Sequence, residues 1–389
     1  MAFKDVIQDI EGFREIQHEV EILRKHGQGL AYRRGEVRRL IDLLHPARVE
    51  LEVSAILPET PSAKTLRLVS PNGYLPPFQA GQYVNLFVEV GGVRTSRPYS
   101  ISSSPTQVGH YDLTVRRVAD GFVSDYLLDE VQIGDVLESS APAGTFTYSP
   151  LFHGRDLVFL AGGSGITPFM SMIREVADRG LKRNIRLVYG SRTPGDVIFQ
   201  QELTEIAGRH GNVTFDVIIS DPPAGFTGRT GFLSASCIGD CVGEAGSQMF
   251  YLCGPEAMYS FCEAELAGLG VQPRRIRKEV FGPPRDITRQ PGWPEGLRAD
   301  AAFTVTLAGG RRVGARAGEP LMNSLEREGI VIPAQCRTGE CSLCRTRLVS
   351  GRVYQPAGVR LRKSDRQFGY IHPCLAYPLT DVELGVRTQ

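Results

Sequence analysis

Long hydrophobic runs are missing from this 389-residue chain. No stretch approaches the roughly 18 apolar residues that a membrane helix needs. The opening Met1-Ala2-Phe3-Lys4-Asp5 lacks the apolar core of a secretion signal, so a cytoplasmic location is expected. Excess charge is missing too, because 44 Lys and Arg stand against 43 Asp and Glu, a formal net charge of +1. Whole-protein attraction to nucleic acid is not expected, and charge-guided docking must be local. Eight cysteines in so long a chain fall short of disulfide-scaffold density, and no internal repeat is present. What remains is ordinary globular composition, 42% apolar and 22% charged, long enough for two or three domains at about 150 residues each.

The texture changes along the chain. Phe3, Val6, Ile7, Ile10 and Phe13 sit at helical spacing before Gly27 and Gly29. A second helix is expected from Arg33 to Leu44, with Val37, Leu40, Ile41 and Leu44 on one face and His45-Pro46 ending it. This helical arm, residues 1–47, carries no chemical motif and reads as packed on the body. Residues 48–152 hold short alternating runs, Leu51 to Ile56, Thr65 to Val69, Tyr83 to Val90, Tyr99 to Ser102, Tyr111 to Val118 and Asp135 to Glu138. Gly, Pro and Asn punctuate them as in a small antiparallel β-barrel. Over 153–282 strand and helix alternate, starting with the continuous apolar run Leu157 to Ala161. Thr167 is expected to cap the following helix, with Pro168 at its first position and Gly180 ending it. That alternation implies an α/β domain with a parallel sheet and a nucleotide site at its carboxyl edge. Residues 283–300, rich in Pro and Gly, read as a linker, and 301–389 form a third unit.

The strongest chemical signal is Cys336-x4-Cys341-x2-Cys344, with Cys374 thirty residues beyond Cys344. This is plant-type [2Fe-2S] ligand spacing, in which four thiolates satisfy two irons. A four-cysteine zinc site is the rival, but it normally pairs its ligands as two CxxC knuckles, and one such pair is present here.

Three further segments occur in order: Arg97-Pro98-Tyr99-Ser100, Gly121-Phe122-Val123-Ser124 and Pro142-Ala143-Gly144-Thr145-Phe146. Arg97 suits a flavin phosphate, Tyr99 suits packing on the flavin, and Ser100 suits a hydrogen bond near flavin N5. Gly121 to Ser124 would offer amides and a hydroxyl at a helix start to the phosphate. Gly162-Gly163-Ser164-Gly165-Ile166-Thr167-Pro168 departs from the dinucleotide fingerprint, because Pro168 stands where a third glycine belongs. Its glycines still let a nicotinamide nucleotide approach the backbone. Cys253-Gly254-Pro255 ends a later strand at the same edge, a position beside the nicotinamide ring, whereas a cysteine taken by itself is more often a small buried apolar residue.

These ordered motifs resemble the ferredoxin-NADP reductase-type flavoproteins fused to a C-terminal plant-type ferredoxin domain, like the reductase components of bacterial oxygenases. The resemblance spans about residues 49–389 and leaves out the arm. It implies a multidomain architecture of antiparallel β-barrel flavin domain, α/β parallel-sheet nucleotide domain and β-grasp ferredoxin domain. It further implies electron transfer from a nicotinamide through flavin to the cluster and on to a partner metalloenzyme such as an oxygenase or hydroxylase. The alternative is an electron-carrier subunit of a larger complex reducing a corrinoid or other low-potential acceptor. By motif, Arg97, Pro98, Tyr99, Ser100, Gly121, Val123 and Ser124 would bind flavin. Gly163, Gly165, Thr167, Arg192, Cys253, Gly254 and Pro255 would shape the nucleotide site, with Ser100 and Cys253 closest to the chemistry. Cys336, Cys341, Cys344 and Cys374 would hold iron. Glu279-Val280-Phe281 resembles the terminal strand of the family, whose acidic and aromatic residues lie near the flavin, and Phe281 is the cofactor contact expected from it.

FAD is expected over FMN from the Gly121 to Ser124 segment. NADH is expected over NADPH because Asp221, after Ser220, would repel a 2′-phosphate, with Arg192 as the opposing signal. Between Pro333 and Pro373, Arg337, Arg345, Arg347, Arg352, Arg360, Arg362, Lys363 and Arg366 face only Glu340 and Asp365, a local excess of +6. That rim is expected to steer an acidic protein acceptor.

Overall fold

The computed structural model describes residues 12–26, 35–119 and 121–387. In the arm, helices α1 (Phe13–His26) and α2 (Glu36–Leu44) form where apolar spacing places them. Phe3, Val6, Ile7 and Ile10 lie outside the described residues. The expected packing of the arm on the body does not occur for α2: none of its residues is buried, and Val37, Leu40, Ile41 and Leu44 are between 42% and 57% exposed. Tyr74 Oη donates to Leu43 O at 3.2 Å, tying it to the barrel. The barrel closes its own core without α2, with Leu51, Leu66, Leu68, Leu86 and Leu113 all fully buried.

The first body unit contains β1 (Val49–Thr60), β2 (Ala63–Val69), β3 (Tyr83–Val90), β4 (Val93–Ser100), β5 (Tyr111–Arg116), helix α3 (Phe122–Asp129) and β6 (Val136–Ser139). Its sheet is antiparallel in the order β4-β3-β6-β1-β2-β5. A bridge between Ile101 and Leu113 joins the end of β4 to β5 and closes the barrel. Strand β4 starts well before the expected Tyr99. Its first half is polar, but Gly91 and Gly92, at φ 56° and 78°, make the tight turn that folds it back on β3.

The second unit runs β7 (Asp156–Gly162), α4 (Ile166–Arg179), β8 (Asn184–Ser191), α5 (Gln200–Arg209), β9 (Val213–Ile219), β10 (Arg229–Thr230), α6 (Ala235–Val242), β11 (Met249–Cys253), α7 (Glu256–Gly268) and β12 (Ile276–Glu279). All neighbours are parallel, in the order β10-β9-β8-β7-β11-β12. Strand order reverses between β7 and β11, and crevices at such switch points bind ligands. Helix α4 is capped differently from the expectation. A 3-10 turn at Gly163–Gly165 leads into it, Gly165 is the N-cap, and Thr167 lies in the first turn, donating to Ser164 O at 3.0 Å. Gly180 ends it in the left-handed region at φ 60°.

The third unit comprises β13 (Ala302–Ala308), β14 (Arg312–Arg316), α8 (Leu321–Arg327), β15 (Thr346–Ser350), β16 (Val353–Tyr354), α9 (Lys363–Gln367), β17 (Tyr370–Ile371), β18 (Tyr377–Pro378) and β19 (Val382–Arg387). Its main sheet has the order β14-β13-β19-β15-β17, with β13 and β19 parallel and Leu321, Met322 and Leu325 of α8 in the core. This is a β-grasp arrangement. Residues 283–300 are laid on this unit rather than spanning free space: Ile287 is buried, Trp293 meets Tyr354 edge-on at 5.3 Å, and Tyr354 Oη donates to Pro291 O at 2.8 Å. Among the described residues no helix is long and apolar enough to cross a membrane.

Candidate functional site

The switch point of the parallel sheet is built by glycines in mutual contact. A Cβ on Gly162 would lie 2.7 Å from Met258 Sδ and Pro255 Cδ, and one on Gly254 would lie 3.1 Å from Gly162 Cα. Gly163 has φ 53°, and a Cβ there would lie 2.3 Å from Arg116 Nη1; its carbonyl accepts from Tyr189 Oη at 2.9 Å. Pro255 is the N-cap of α7. These residues draw the two loops together, which leaves backbone rather than side chains lining the crevice. Arg192 and Asp221 are exposed at the ends of β8 and β9, where Asp221 N donates to Arg192 O at 2.8 Å.

Cys253 is fully buried, in the core shared with Phe159 and Phe169. Burial, reinforced by Glu279, pushes its thiol well up, with the Tyr259 side chain opposing. Glu279 pairs with Cys253 in the β11–β12 register. Its Oε2 has no partner among the described residues, and burial, then Glu340, raise its carboxyl to about 8 against Arg277. Phe281, two residues on, is 37% exposed.

The barrel contributes the end of the β3–β4 hairpin. Ser100 is 4% exposed, yet its Oγ lacks a partner among the described residues. Buried hydroxyls are normally satisfied, so this atom fits a bound polar ligand such as flavin. Pro98 pairs with Asn85 and Tyr99 with Val84, and burial pushes the half-buried Tyr99 phenol well up against the pull of Arg97. Arg97 Nη1 donates to Thr95 Oγ1 at 2.8 Å and Ser96 O at 2.7 Å. Gly121 is the N-cap of α3, and a Cβ there would lie 2.0 Å from Ser124 Oγ and 2.7 Å from Val118 O. The Ser124 hydroxyl accepts from Val118 N at 3.3 Å, and the Val123 side chain is in the barrel core. What this segment has free for an anion is therefore its first-turn amides.

The four cysteines of the third unit gather as two pairs. Cys344 Sγ lies 3.4 Å from Cys374 Sγ, while the Cys341 side chain, against burial and with help from Thr338 and the amides of Thr338 and Cys341, holds the Cys336 thiol well below the ordinary thiol range. Thr338 N and Cys341 N point at Cys336 Sγ from 3.4 and 3.3 Å. Among the described residues no three ligand-type side chains converge on one point. Two thiol pairs with amides aimed at sulfur fit a two-iron cluster better than a single tetrahedral zinc. The loop is wound tightly: Arg337 and Ser342 have φ 54° and 58°, and a Cβ on Gly339 would lie 3.0 Å from Leu375 Cδ1. Gly339 O faces His372 Nδ1 at 3.0 Å.

The three units meet at this loop. Asn85 Nδ2 donates to Ala334 O at 3.0 Å, and Arg337 donates to Ser96 Oγ at 3.3 Å and Thr95 Oγ1 at 3.2 Å. Arg337 also pairs with Glu326, both side chains 5% exposed. Burial, then Cys336, Cys341, Glu279 and Glu340, push the Tyr83 phenol well up. The structure thus brings together the Arg97 to Ser100 segment, the Cys253 edge and the cysteine loop. Arg192 stands apart at the outer end of the crevice. Glu279, Thr95, Glu326 and Arg337 carry no motif of their own, and for Glu279 only the short Glu-Val-Phe match pointed to the place. Arg337 does not belong to the basic surface rim, because it is buried and neutralised by Glu326, which lies outside the window that gave the +6.

Family profiles match in the same order: the oxidoreductase FAD-binding domain over residues 52–148, the oxidoreductase NAD-binding domain over 159–264 and the 2Fe-2S iron-sulfur cluster binding domain over 305–379. The chain is similar to the NADH oxidoreductase HCR of Escherichia coli K12, 33% identical over 335 residues and covering 86% of this chain and 97% of that one. It is also similar to a glycine betaine monooxygenase reductase subunit of Pseudomonas aeruginosa, 29% identical over 84% of this chain and 92% of that one. Among solved structures, phthalate dioxygenase reductase, described as a modular structure for electron transfer from pyridine nucleotides to [2Fe-2S], matches with a TM-score of 0.63 and 25% identity over 87% of this chain and 98% of that one. With its three domains in this order, the chain belongs to the ferredoxin-NADP reductase-type flavoprotein oxidoreductases that carry a C-terminal plant-type [2Fe-2S] domain.

Proposed function

We propose that the chain is an NADH-dependent reductase component that delivers electrons singly, through FAD and a [2Fe-2S] cluster, to a partner metalloenzyme of the oxygenase or hydroxylase class. The observation that carries this reading is the seam at which Asn85, Thr95 and Ser96 of the barrel bind the cysteine loop through Ala334 and Arg337, beside the Ser100 hydroxyl that has no partner among the described residues. When bound, the flavin accepts a hydride and gives up electrons one at a time, and the cluster carries single electrons. Ser100 Oγ orients the flavin, Arg97 and the first-turn amides of α3 hold its phosphate, and Tyr99 and Phe281 cover its ring. Gly163, Gly165, Thr167 and the Cys253-Gly254-Pro255 turn shape the nicotinamide crevice. Buried Cys253 and Glu279 keep water out of it. Cys336, Cys341, Cys344 and Cys374 hold the irons. Asp221 disfavours a 2′-phosphate.

The acceptor docks on the third unit. Asp365 is buried and holds Arg345 and Arg362, and Arg360 meets Glu340. Arg347, Arg352 and Lys363 are exposed and form no ion pair among the described residues. Leu343, beside Cys344, is 52% exposed, an apolar contact within a positive rim. This suits an acidic partner, whose reduction would slow as salt rises. Rates that do not change between low and moderate ionic strength would remove the rim from the reading.

The test of the whole is the purified full chain. It should oxidise NADH with ferricyanide as acceptor, release FAD on denaturation by mass spectrometry, and contain two irons. A chain without flavin or iron would overturn the proposal. The exposed apolar residues of α2 favour a second reading, a subunit built into a larger complex, which co-purifying subunits would support and a stable monomer would not.

A further inference from the structure

The β3–β4 hairpin that ends in Arg97-Pro98-Tyr99-Ser100 is also the surface on which the cysteine loop is held. Thr95 Oγ1 is the centre of the contact. It donates to Glu326 Oε2 at 2.9 Å and accepts from Arg97 Nη1 at 2.8 Å and Arg337 Nη2 at 3.2 Å. Thr95, Glu326 and Arg337 are all buried. Two guanidinium groups, that of half-buried Arg97 and that of buried Arg337, therefore share one hydroxyl beside one carboxylate, Glu326. Among these four side chains positive charge exceeds negative by one, and a poorly compensated buried charge is costly. Burial, then repulsion from Arg337, lower the pKa of Arg97 to about 10, with Glu326 opposing. The two cations belong to different units, so the repulsion acts across the seam between them.

We propose that the flavin seat and the cluster unit are thermodynamically coupled through the Arg97–Thr95–Arg337–Glu326 network, the anionic phosphate of the flavin supplying the missing negative charge. The inference rests on the reading that Arg97 holds that phosphate. An anion at Arg97 removes the repulsion of Arg337 and tightens the seam. By linkage, a docked cluster unit strengthens flavin binding by the same factor. Thr95, Glu326 and Arg337 then act as positioning residues, setting Arg97 without touching the cofactor. A flavin-free chain holds its cysteine loop less firmly against the barrel than a flavin-loaded one, so cluster and flavin come into reach of each other only when both are in place.

The test uses the full chain with its cluster retained, stripped of flavin and then titrated with FAD. Thr95→Val should weaken FAD binding about tenfold, within the usual range of coupling energies, and Thr95→Ser should restore it, while the visible spectrum of the cluster is unchanged. Glu326→Gln removes the one carboxylate and enlarges the positive excess, so it should shift FAD binding the other way, toward tighter. Hydrogen exchange at amides 334–337 of the wild type should slow when FAD is added. Unchanged FAD affinity in both Thr95→Val and Glu326→Gln, with exchange at 334–337 indifferent to FAD, would overturn the coupling. Arg97→Gln separates the two layers. If it weakens FAD binding while Thr95→Val and Glu326→Gln leave it unchanged, the phosphate reading stands and the coupling fails; if it leaves FAD binding intact, both fail.

Discussion

Gly165 stands directly against the carbonyl of Cys253: a Cβ added to it would lie 2.1 Å from Cys253 O and 2.4 Å from its carbonyl carbon. Cys253 ends β11, and Gly165 lies in the 3-10 turn that follows the neighbouring strand β7, at the point where strand order reverses. The glycines of this loop are thus demanded first by the protein's own backbone. The crevice that a nucleotide would enter is a consequence of that approach.

Gly165→Ala should accordingly damage the nucleotide crevice without touching the cluster. The clash is with backbone, which cannot rotate away, so a stability loss on the order of 1–3 kcal/mol is expected. NADH-dependent ferricyanide reduction should fall at least tenfold through KM, while the visible absorbance of the cluster stays as in the wild type. Unchanged KM would show that the loop yields at no cost to nucleotide binding.

The two thiol pairs predict a clean division among the eight cysteines. Serine at Cys336, Cys341, Cys344 or Cys374 should abolish or strongly deplete the cluster, read as iron content and visible absorbance. Cys237→Ser, on the far unit, should leave both intact. In the Cys344→Ser chain, flavin-dependent ferricyanide reduction should survive while reduction of a one-electron protein acceptor is lost. Retention of two irons in any of the four variants would break the ligand assignment.

Which features were legible in the sequence follows from how local they are. The cysteine loop is readable because three of its four ligands lie within nine residues, and the parallel sheet because Leu157 to Ala161 and Met249 to Cys253 are apolar runs bounded by Gly and Pro. The first half of β4 was not legible, since Arg94, Thr95, Ser96 and Arg97 break the alternation that marks a strand; the Gly91-Gly92 turn imposes it. Thr167 looked like a helix cap and is not, because a 3-10 turn carries the chain one step further before α4 begins. The network around Thr95 could not be read at all. Its partners Glu326 and Arg337 lie 231 and 242 residues away, and no local pattern marks a buried Arg as different from the solvated ones around it. The arm shows the converse failure, in which periodicity gave the helices but said nothing of whether their apolar face is covered.

The choice between NADH and NADPH should turn on one carboxylate. Asp221 and Arg192 sit on adjacent strand ends, joined by a backbone hydrogen bond of 2.8 Å, so both charges lie near the same end of the crevice. Asp221→Asn should raise the NADPH-to-NADH ratio of kcat/KM by roughly tenfold, the equivalent of about 1.4 kcal/mol of relieved repulsion. Adding Arg192→Ala to it should take that gain away. A wild type that already prefers NADPH, or an Asp221→Asn chain with an unaltered ratio, would refute the role of Asp221.

Glu279 gives the chain a pH dependence of known sign. Its carboxyl is raised from 4.5 to about 8 by burial and by Glu340, against Arg277, and its Oε2 finds no partner among the described residues. Between those two values the folded chain keeps a proton that the unfolded chain releases. The associated stability is complete below about pH 4.5 and is lost as pH rises through about 8. Glu279→Gln keeps the shape and cannot ionise, so the variant should gain on the wild type as pH increases. Thermal unfolding of the full chain should show the difference in stability growing by on the order of 2–3 kcal/mol between pH 6 and pH 8. A difference that stays flat across that window would mean that Glu279 is already ionised and paired in the folded protein.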